Sequence, residues 1–472
     1  MTVPSSPGAD PRPDRSSPAS PTGSGFDSPA GAGLDSAAGA GLDSPADAGL
    51  DSPAGSMLDS PDGSALDSPG GPVPDARSGP LAGVRVLELG QLIAGPFCAK
   101  TLGDLGADVI KIEPPGSGDP LRKWRMLHAG TSVWWEVQSR NKRSLALDLR
   151  TPDGQAIVRR LAAQADILVE NFKPGMMEQW GLAYDVLARD NPGLIMLRIS
   201  GYGQTGPYKD KPGFGVVGEA MGGLRRLTAE PGRVPVRVGV SIGDTLAALH
   251  GTIGVLAALR ERDQRGGRGQ VVDVALYESV FNCMESLLPE YSAFGAVREP
   301  AGSALPGIAP SNAYPCRDGW VLVAGNGDSI FQRLMRAIGR ADLADDPALR
   351  HNDGRVARVG EIDGAIGAWT RERGVNEVLA ALDAAQVPGG RLYTVADISA
   401  DPQYRAREMI VRTRTADGLA LDVPGIVPKL SRTPGSLRTP APTLGQHSDA
   451  VLREAGYDDA RIAEWRERGV IG

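Results

Sequence analysis

From Leu81 onward, short β-branched runs alternate with helix-length segments, and this alternation narrows the fold more than any other feature of the chain. Val84–Leu89, Ala107–Ile112, Ser144–Leu149, Ile167–Glu170 and Leu194–Ile199 read as strands. Helices are expected at Gly95–Leu105 and near Pro152–Ala165. Pro152 falls in the first turn of the second, where a missing N–H leaves no bond unmade. Strand, helix, strand in repeated order needs crossover connections, which give parallel pairing with helices on the sheet faces. Further on, Asp244–Arg262 reads as a helix with no polar face before Arg260, so it belongs in a large core or at an interface. Asp273–Leu288 reads as a second helix of the same kind. Between Ser311 and Ala400 one strand (Trp320–Ala324) precedes several amphipathic helices, the pattern of a second, smaller domain. Met409–Thr413 and Leu419–Val423 read as strands returning to the first domain, and Asp449–Arg468 as a helix.

The segment before this alternation is unlike it. Phe26, Leu34, Leu42, Leu50, Leu58 and Leu66 each open an octapeptide resembling Leu-Asp-Ser-Pro-Ala-Gly-Ala-Gly, and residues 1–78 contain 13 Pro and 12 Gly. One apolar residue in eight cannot offset the entropy of ordering a chain, so 1–78 is expected to be a flexible tail. The same residues hold 3 basic and 11 acidic side chains, against 47 and 46 in the rest, so the acidic charge belongs to the tail. A near-neutral remainder lacks the basic excess of a nucleic-acid binder. No charge-free apolar run reaches about 18 residues, so no membrane-spanning helix is expected. Met1–Asp14 has no apolar run after its basic residues, as a secretory signal would. Cys98, Cys283 and Cys316 are scattered and odd in number, which fits a reducing cytoplasm better than a disulfide framework. The four histidines form no HxH or HExxH pair, so no metal site is expected.

Three local patterns bear on chemistry. Gly201-Tyr-Gly203-Gln-Thr-Gly206 fits GxGxxG after a strand, but dinucleotide binding needs a helix to begin there. Pro207, Lys209, Lys211, Pro212 and Gly213 follow instead, so a loop and no nicotinamide cofactor are expected. Asp244 stands where the long apolar helix begins. It is either an N-cap or a carboxylate held ionised by the helix dipole beside a pocket, usable as a nucleophile toward an activated acyl group. Arg122, Lys123, Arg125, Arg140, Lys142 and Arg143 cluster with Trp134, Trp135 and Asn141, either as a solvated surface or as a hold for a phosphate-bearing ligand.

Taken together, several segments resemble the family III CoA-transferases. They include Leu81-Ala-Gly-Val-Arg-Val-Leu-Glu-Leu89, Gly95-Pro96, Leu105 to Glu113 and Gly116 to Asp119. Arg140-Asn-Lys-Arg-Ser144, Asp166 to Gly175, Gly201 to Pro207, Gly269 to Val274 and Leu444 to His447 continue the series in order. The resemblance implies an α/β fold with a Rossmann-like large domain built from both chain ends, an inserted small α+β domain, and two chains interlocked as a homodimer. The expected boundaries are 1–78 for the tail, 79–300 and 406–472 for the large domain, and 301–405 for the small one.

It also implies a chemistry with coenzyme A as co-substrate and no permanent cofactor. An aspartate, here Asp244, attacks an acyl-CoA thioester and passes through a mixed anhydride and an aspartyl-CoA thioester. CoA contacts are implied at Ile93, Ala94, Leu147, Arg150, Asn171 and Phe172, with Phe214 and Gly243 at the substrate pocket. Ile93 and Phe214 replace a glutamine and a tyrosine of the oxalate-using branch, which turns the expectation toward succinyl-CoA and a dicarboxylic acceptor. Arg225 and Arg237 are candidates for the acceptor's distal carboxylate. The racemase branch pairs its aspartate with a histidine that aligns with Phe214, which cannot move a proton, and His250 is a poor substitute. Racemase and a CoA binder without turnover are the alternatives.

Overall fold

The structure, a computed structural model, describes residues 79–472, so the octapeptide segment at 1–78 lies outside the described residues. Six strands form one sheet: β1 (Arg85–Glu88), β2 (Asp108–Glu113), β3 (Lys142–Ala146), β4 (Ile167–Glu170), β5 (Ile195–Ser200) and β6 (Val271–Ala275). Every pair in it is parallel, and the order is β3-β2-β1-β4-β5-β6. In register, Val86 stands opposite both Val109 and Ile167. Successive side chains leave a strand on opposite faces, and here both faces are buried. Leu87, Ile110, Leu168 and Met196 pack into one core, and Val86, Val109, Ile167, Val169 and Leu197 into the other.

The helices that matter here are α1 (Ala94–Asp104), α2 (Pro152–Ala162), α3 (Gly215–Met221), α4 (Leu224–Leu227), α5 (Ile242–Gln264), α6 (Leu276–Phe281) and α7 (Leu287–Phe294). On the first face, α2 contributes Ile157, Val158 and Leu161. The chain's far end joins it there through Val451 and Leu452 of α8 (Ser448–Glu454) and Ile462 and Trp465 of α9 (Asp459–Glu467). On the second face, α1 and α5 contribute Cys98, Leu102, Ala247, Ala248, Val255 and Ala258.

Two expectations need correction. Asp273–Leu288 is not one helix. Val271, Val272 and Val274 suit a pleated edge and pair with β5 from Met196 to Ser200, so helix begins only at Leu276 and breaks before Leu287. The two late strands, Ile410–Arg414 and Ala420–Pro424, are present as a hairpin, and Pro424 O accepts from Arg140 Nη1 at 2.6 Å. And α5, at 23 residues, is long and apolar enough by length and composition to span a bilayer. Its Ala247, Ala248, Gly251 and Val255 are buried against the sheet, as in a core helix, while Leu249 and Ile253 on another side are exposed. A third core gathers Tyr314, Val321, Phe331, Ile362, Val378 and Val387 around β7 (Ser311–Cys316), β8 (Gly319–Ala324) and β9 (Gly389–Arg391).

Candidate active site

In a sheet of this order, the chain leaves β1 and β4 in opposite directions and opens a crevice beyond their carboxyl ends. The main cleft lies there, with a volume of about 710 Å³. Its floor is Gln91–Ala94 after β1, Asn171–Pro174 after β4, and Ile199–Gly201 at the end of β5. The two floor loops are clamped together. Asn171 Oδ1 accepts from Gln91 N at 2.7 Å, and Asn171 Nδ2 donates to Gln91 O at 2.9 Å.

A buried ion network fixes the first loop from below. Lys111 Nζ sits 3.0 Å from Glu88 and 2.7 Å from Asp119, and donates to Gly90 O. Asp119 accepts from Leu92 N at 3.1 Å, and Gln138 Nε2 donates to Ile93 O at 2.9 Å. Burial pulls the Lys111 ammonium down, but Asp119 and Glu88 outweigh it and hold the group above its ordinary value. Leu92 itself has φ 63°, a left-handed conformation that a branched side chain adopts only under such restraint.

Asp244 enters the cleft from the third residue of α5. It is not the N-cap: Ser241 holds that place. Across from it stands Gly215, the first residue of α3. A methyl carbon built on Gly215 would lie 2.0 Å from Asp244 Oδ2, so only glycine lets α3 come this close. Desolvation pushes the Asp244 carboxyl up, the buried Glu219 carboxylate pushes the same way, and Arg237 pulls back, leaving it at about 6. At neutral pH such a group is mostly ionised yet more basic than an ordinary aspartate.

Arg125, Lys173, Lys211 and Arg237 also line the cleft, and Asp244 is the one carboxylate among its lining residues. Trp124 and Trp134 face each other at 6.3 Å, with the Arg125 guanidinium 4.6 Å above the Trp134 ring. Of the rest of the basic cluster, Lys123 is exposed and the other four are occupied internally. Arg122 grips Glu113 with two bonds of 2.8 Å, Arg140 is held by Asp104, Lys142 by Glu88, and Arg143 by Asp108 and Glu454.

Gly201 to Pro212 is a loop, and a methyl carbon on Gly201 would meet Gly213 Cα at 2.9 Å, so these glycines let two backbone strands touch at the cleft rim. Of the residues named from sequence, the structure brings Ile93, Ala94, Asn171, Phe172, Phe214 and Asp244 to this one cleft. Gly243 lies just behind it, against Gly215 O and Glu219. Leu147 and Arg150 are elsewhere. Leu147 is buried in the core and bridges Ile471, and Arg150 turns outward, its side chain 84% exposed, to bond Asp148. Arg225 and Arg237 both face Glu219 at 3.9 Å. Gly215 and Glu219 were not singled out from the sequence; their one-turn spacing just after Phe214 was the available signal.

The model of CoA-transferase family III matches residues 81–448. The chain belongs to that family. It is 48% identical over 391 residues to the succinyl-CoA–D-citramalate CoA-transferase of Chloroflexus aurantiacus, covering 82% of this chain and 97% of that one. The human succinyl-CoA:glutarate CoA-transferase is 32% identical over 391 residues, covering 82% and 89%. A solved CAIB/BAIF family protein from Brucella suis superposes with a TM-score of 0.72 at 35% identity, covering 80% of this chain and 100% of that one. The enzyme is therefore a family III CoA-transferase, with CoA as co-substrate.

Proposed function

We propose that this enzyme carries CoA from succinyl-CoA to a small dicarboxylic acid through covalent intermediates on Asp244. The observation that carries the reading is a lone, basic carboxylate in a cationic cleft at the carboxyl ends of the sheet. Relatives whose names specify succinyl-CoA with citramalate, malate and glutarate support the choice of donor and acceptor class.

Asp244 Oδ attacks the thioester carbonyl, the C–S bond breaks, and CoA leaves as thiolate beside a succinyl–aspartyl anhydride. The thiolate then attacks the aspartyl carbonyl and releases succinate, leaving CoA on Asp244. The acceptor carboxylate displaces CoA to form a second anhydride. Return of the thiolate to the acceptor's acyl carbon frees the new thioester and restores Asp244. Anhydride and thioester each retain the free energy of the first thioester, so no step is steeply uphill. Ile93, Ala94, Asn171 and Phe172 are assigned to CoA, and Phe214 to the acyl pocket. No histidine lines the cleft among the described residues, which disfavours racemization.

The exposed apolar side chains of α5 to α7 (Leu249, Ile253, Phe281, Tyr291 and Phe294) are assigned to the contact of a homodimer. Residues 301–405 are assigned to a small inserted domain, and the reaction to the cytoplasm. Intact-protein mass after mixing with succinyl-CoA and other acyl-CoAs, followed by hydroxylamine and peptide mapping, tests the core of this reading. A CoA or hydroxamate mark on the Asp244 peptide is expected. Turnover without any mark, in wild type and in Asp244→Ala alike, would refute it. Sedimentation of the native enzyme as a monomer would refute the dimer.

A further inference from the structure

Glu219 does not line the cleft, yet it is 1% exposed and surrounded by the groups that do. It lies on α3 four residues after Gly215, one turn along the same face. That face runs past the first turn of α5, with Gly215 against the Asp244 carboxylate and Glu219 against Gly243. Glu219 Oε1 is 3.5 Å from Gly243 N, and Oε2 is 3.9 Å from both Arg225 Nη1 and Arg237 Nε. Arg225 Nη1 is buried and has no hydrogen-bond partner among the described residues. A carboxylate this buried loses much of its hydration, and ion contacts at 3.9 Å do not return all of it. Arg237 belongs to both settings, reaching Glu219 while lining the cleft beside Asp244.

We propose that Glu219 is a positioning residue for the transfer, holding Arg237 at the cleft wall and placing behind Asp244 a negative charge that acylation of Asp244 relieves. The inference rests on Asp244 as nucleophile. Converting its carboxylate into an anhydride or thioester removes a charge, as protonation does. A neighbouring charge that disfavours the ionised form against the protonated one disfavours it by the same factor against the acylated one. Each tenfold gain in proton affinity due to Glu219 is thus a tenfold gain in the equilibrium ratio of acylated to free enzyme, while Arg237 and Arg225 moderate it.

The test compares wild type, Glu219→Gln and Glu219→Asp by the pH profile of kcat/KM and by the fraction of enzyme carrying CoA at equilibrium with succinyl-CoA. The wild-type acidic limb is expected near pH 6. In Glu219→Gln it moves down by roughly one pH unit and the ratio of CoA-bearing to free enzyme falls about tenfold. Glu219→Asp, which keeps the charge, recovers most of both. A limb and an adduct fraction unmoved in Glu219→Gln overturn the proposal. So does a wild-type limb at or below about pH 4, the ordinary aspartate range, which decides the matter should Glu219→Gln fail to fold. The reading it rests on fails differently. A limb that shifts with Glu219→Gln, in an enzyme that never carries CoA, supports the charge coupling and removes the aspartyl intermediate.

Discussion

Gly215→Ala separates catalysis from folding more sharply than removal of Asp244. The added methyl would lie 2.0 Å from Asp244 Oδ2, where ordinary contact begins near 3.4 Å, so the carboxylate must retreat by about 1.4 Å or turn to another rotamer. The backbone poses no obstacle, since Gly215 opens a helix and is not among the positive-φ glycines. Alanine gains up to about 1 kcal/mol of helix preference there, which offsets part of the steric cost. Stability should therefore change by no more than about 2 kcal/mol. Displacing a reacting group by about 1 Å typically costs on the order of 100-fold in rate. The assay is kcat/KM for succinyl-CoA alongside the thermal midpoint and the rate of CoA-adduct formation. A variant that folds normally and loses on the order of 100-fold in both rates is expected. Gly215→Ala with turnover within threefold of wild type would mean that the Asp244 position is not what limits the reaction.

Asp244→Asn should abolish the adduct and stabilise the protein. The wild-type group rises from 3.8 to about 6 on folding, so the folded state favours its protonated form and that advantage is lost as pH climbs through 6. After discounting for residual screening in its partly buried setting, the ionised carboxylate costs about 2 kcal/mol at pH 7, and denaturant midpoints of the Asn variant should exceed wild type there but not at pH 4. Lys111→Met leaves Glu88 and Asp119 buried without their shared partner and should cost about 3–5 kcal/mol, read from urea unfolding; a loss below about 1 kcal/mol would refute the network's role in holding the Gln91–Ala94 loop. Deleting residues 1–78, which precede the matched region at 81–448, should leave kcat/KM unchanged; a large loss would assign the octapeptides a part in catalysis.

The parallel sheet was legible in the sequence because both of its faces are buried, so strands such as β4 and β5 are mostly apolar runs set between helix-length segments. β6 was hidden for the opposite reason. Its Val271–Ala275 run leads without a turn signal into α6, and only the ladder with β5 separates them. Asp244 was visible from its place at a helix start, but that Ser241 and not Asp244 takes the N-cap is seen only in the structure. The basic cluster misled because charge says nothing of partners. Arg122, Arg140, Lys142 and Arg143 answer carboxylates that lie 9 to 54 positions earlier or at the chain's end, and only Arg125 of that group is left to the cleft. Glu219 and Gly215 were missed because their meaning lies in α3 touching α5, a contact no spacing within one element reveals.

The cleft's walls come from loops and helix starts in six separated parts of the chain: 91–94, 124–134, 171–174, 199–216, 237–244 and Leu276. The sheet beneath supplies the platform and almost none of the lining. The lining side chains can thereby change without touching a strand ladder, and two relatives at 48% and 32% identity bear the names of different acids.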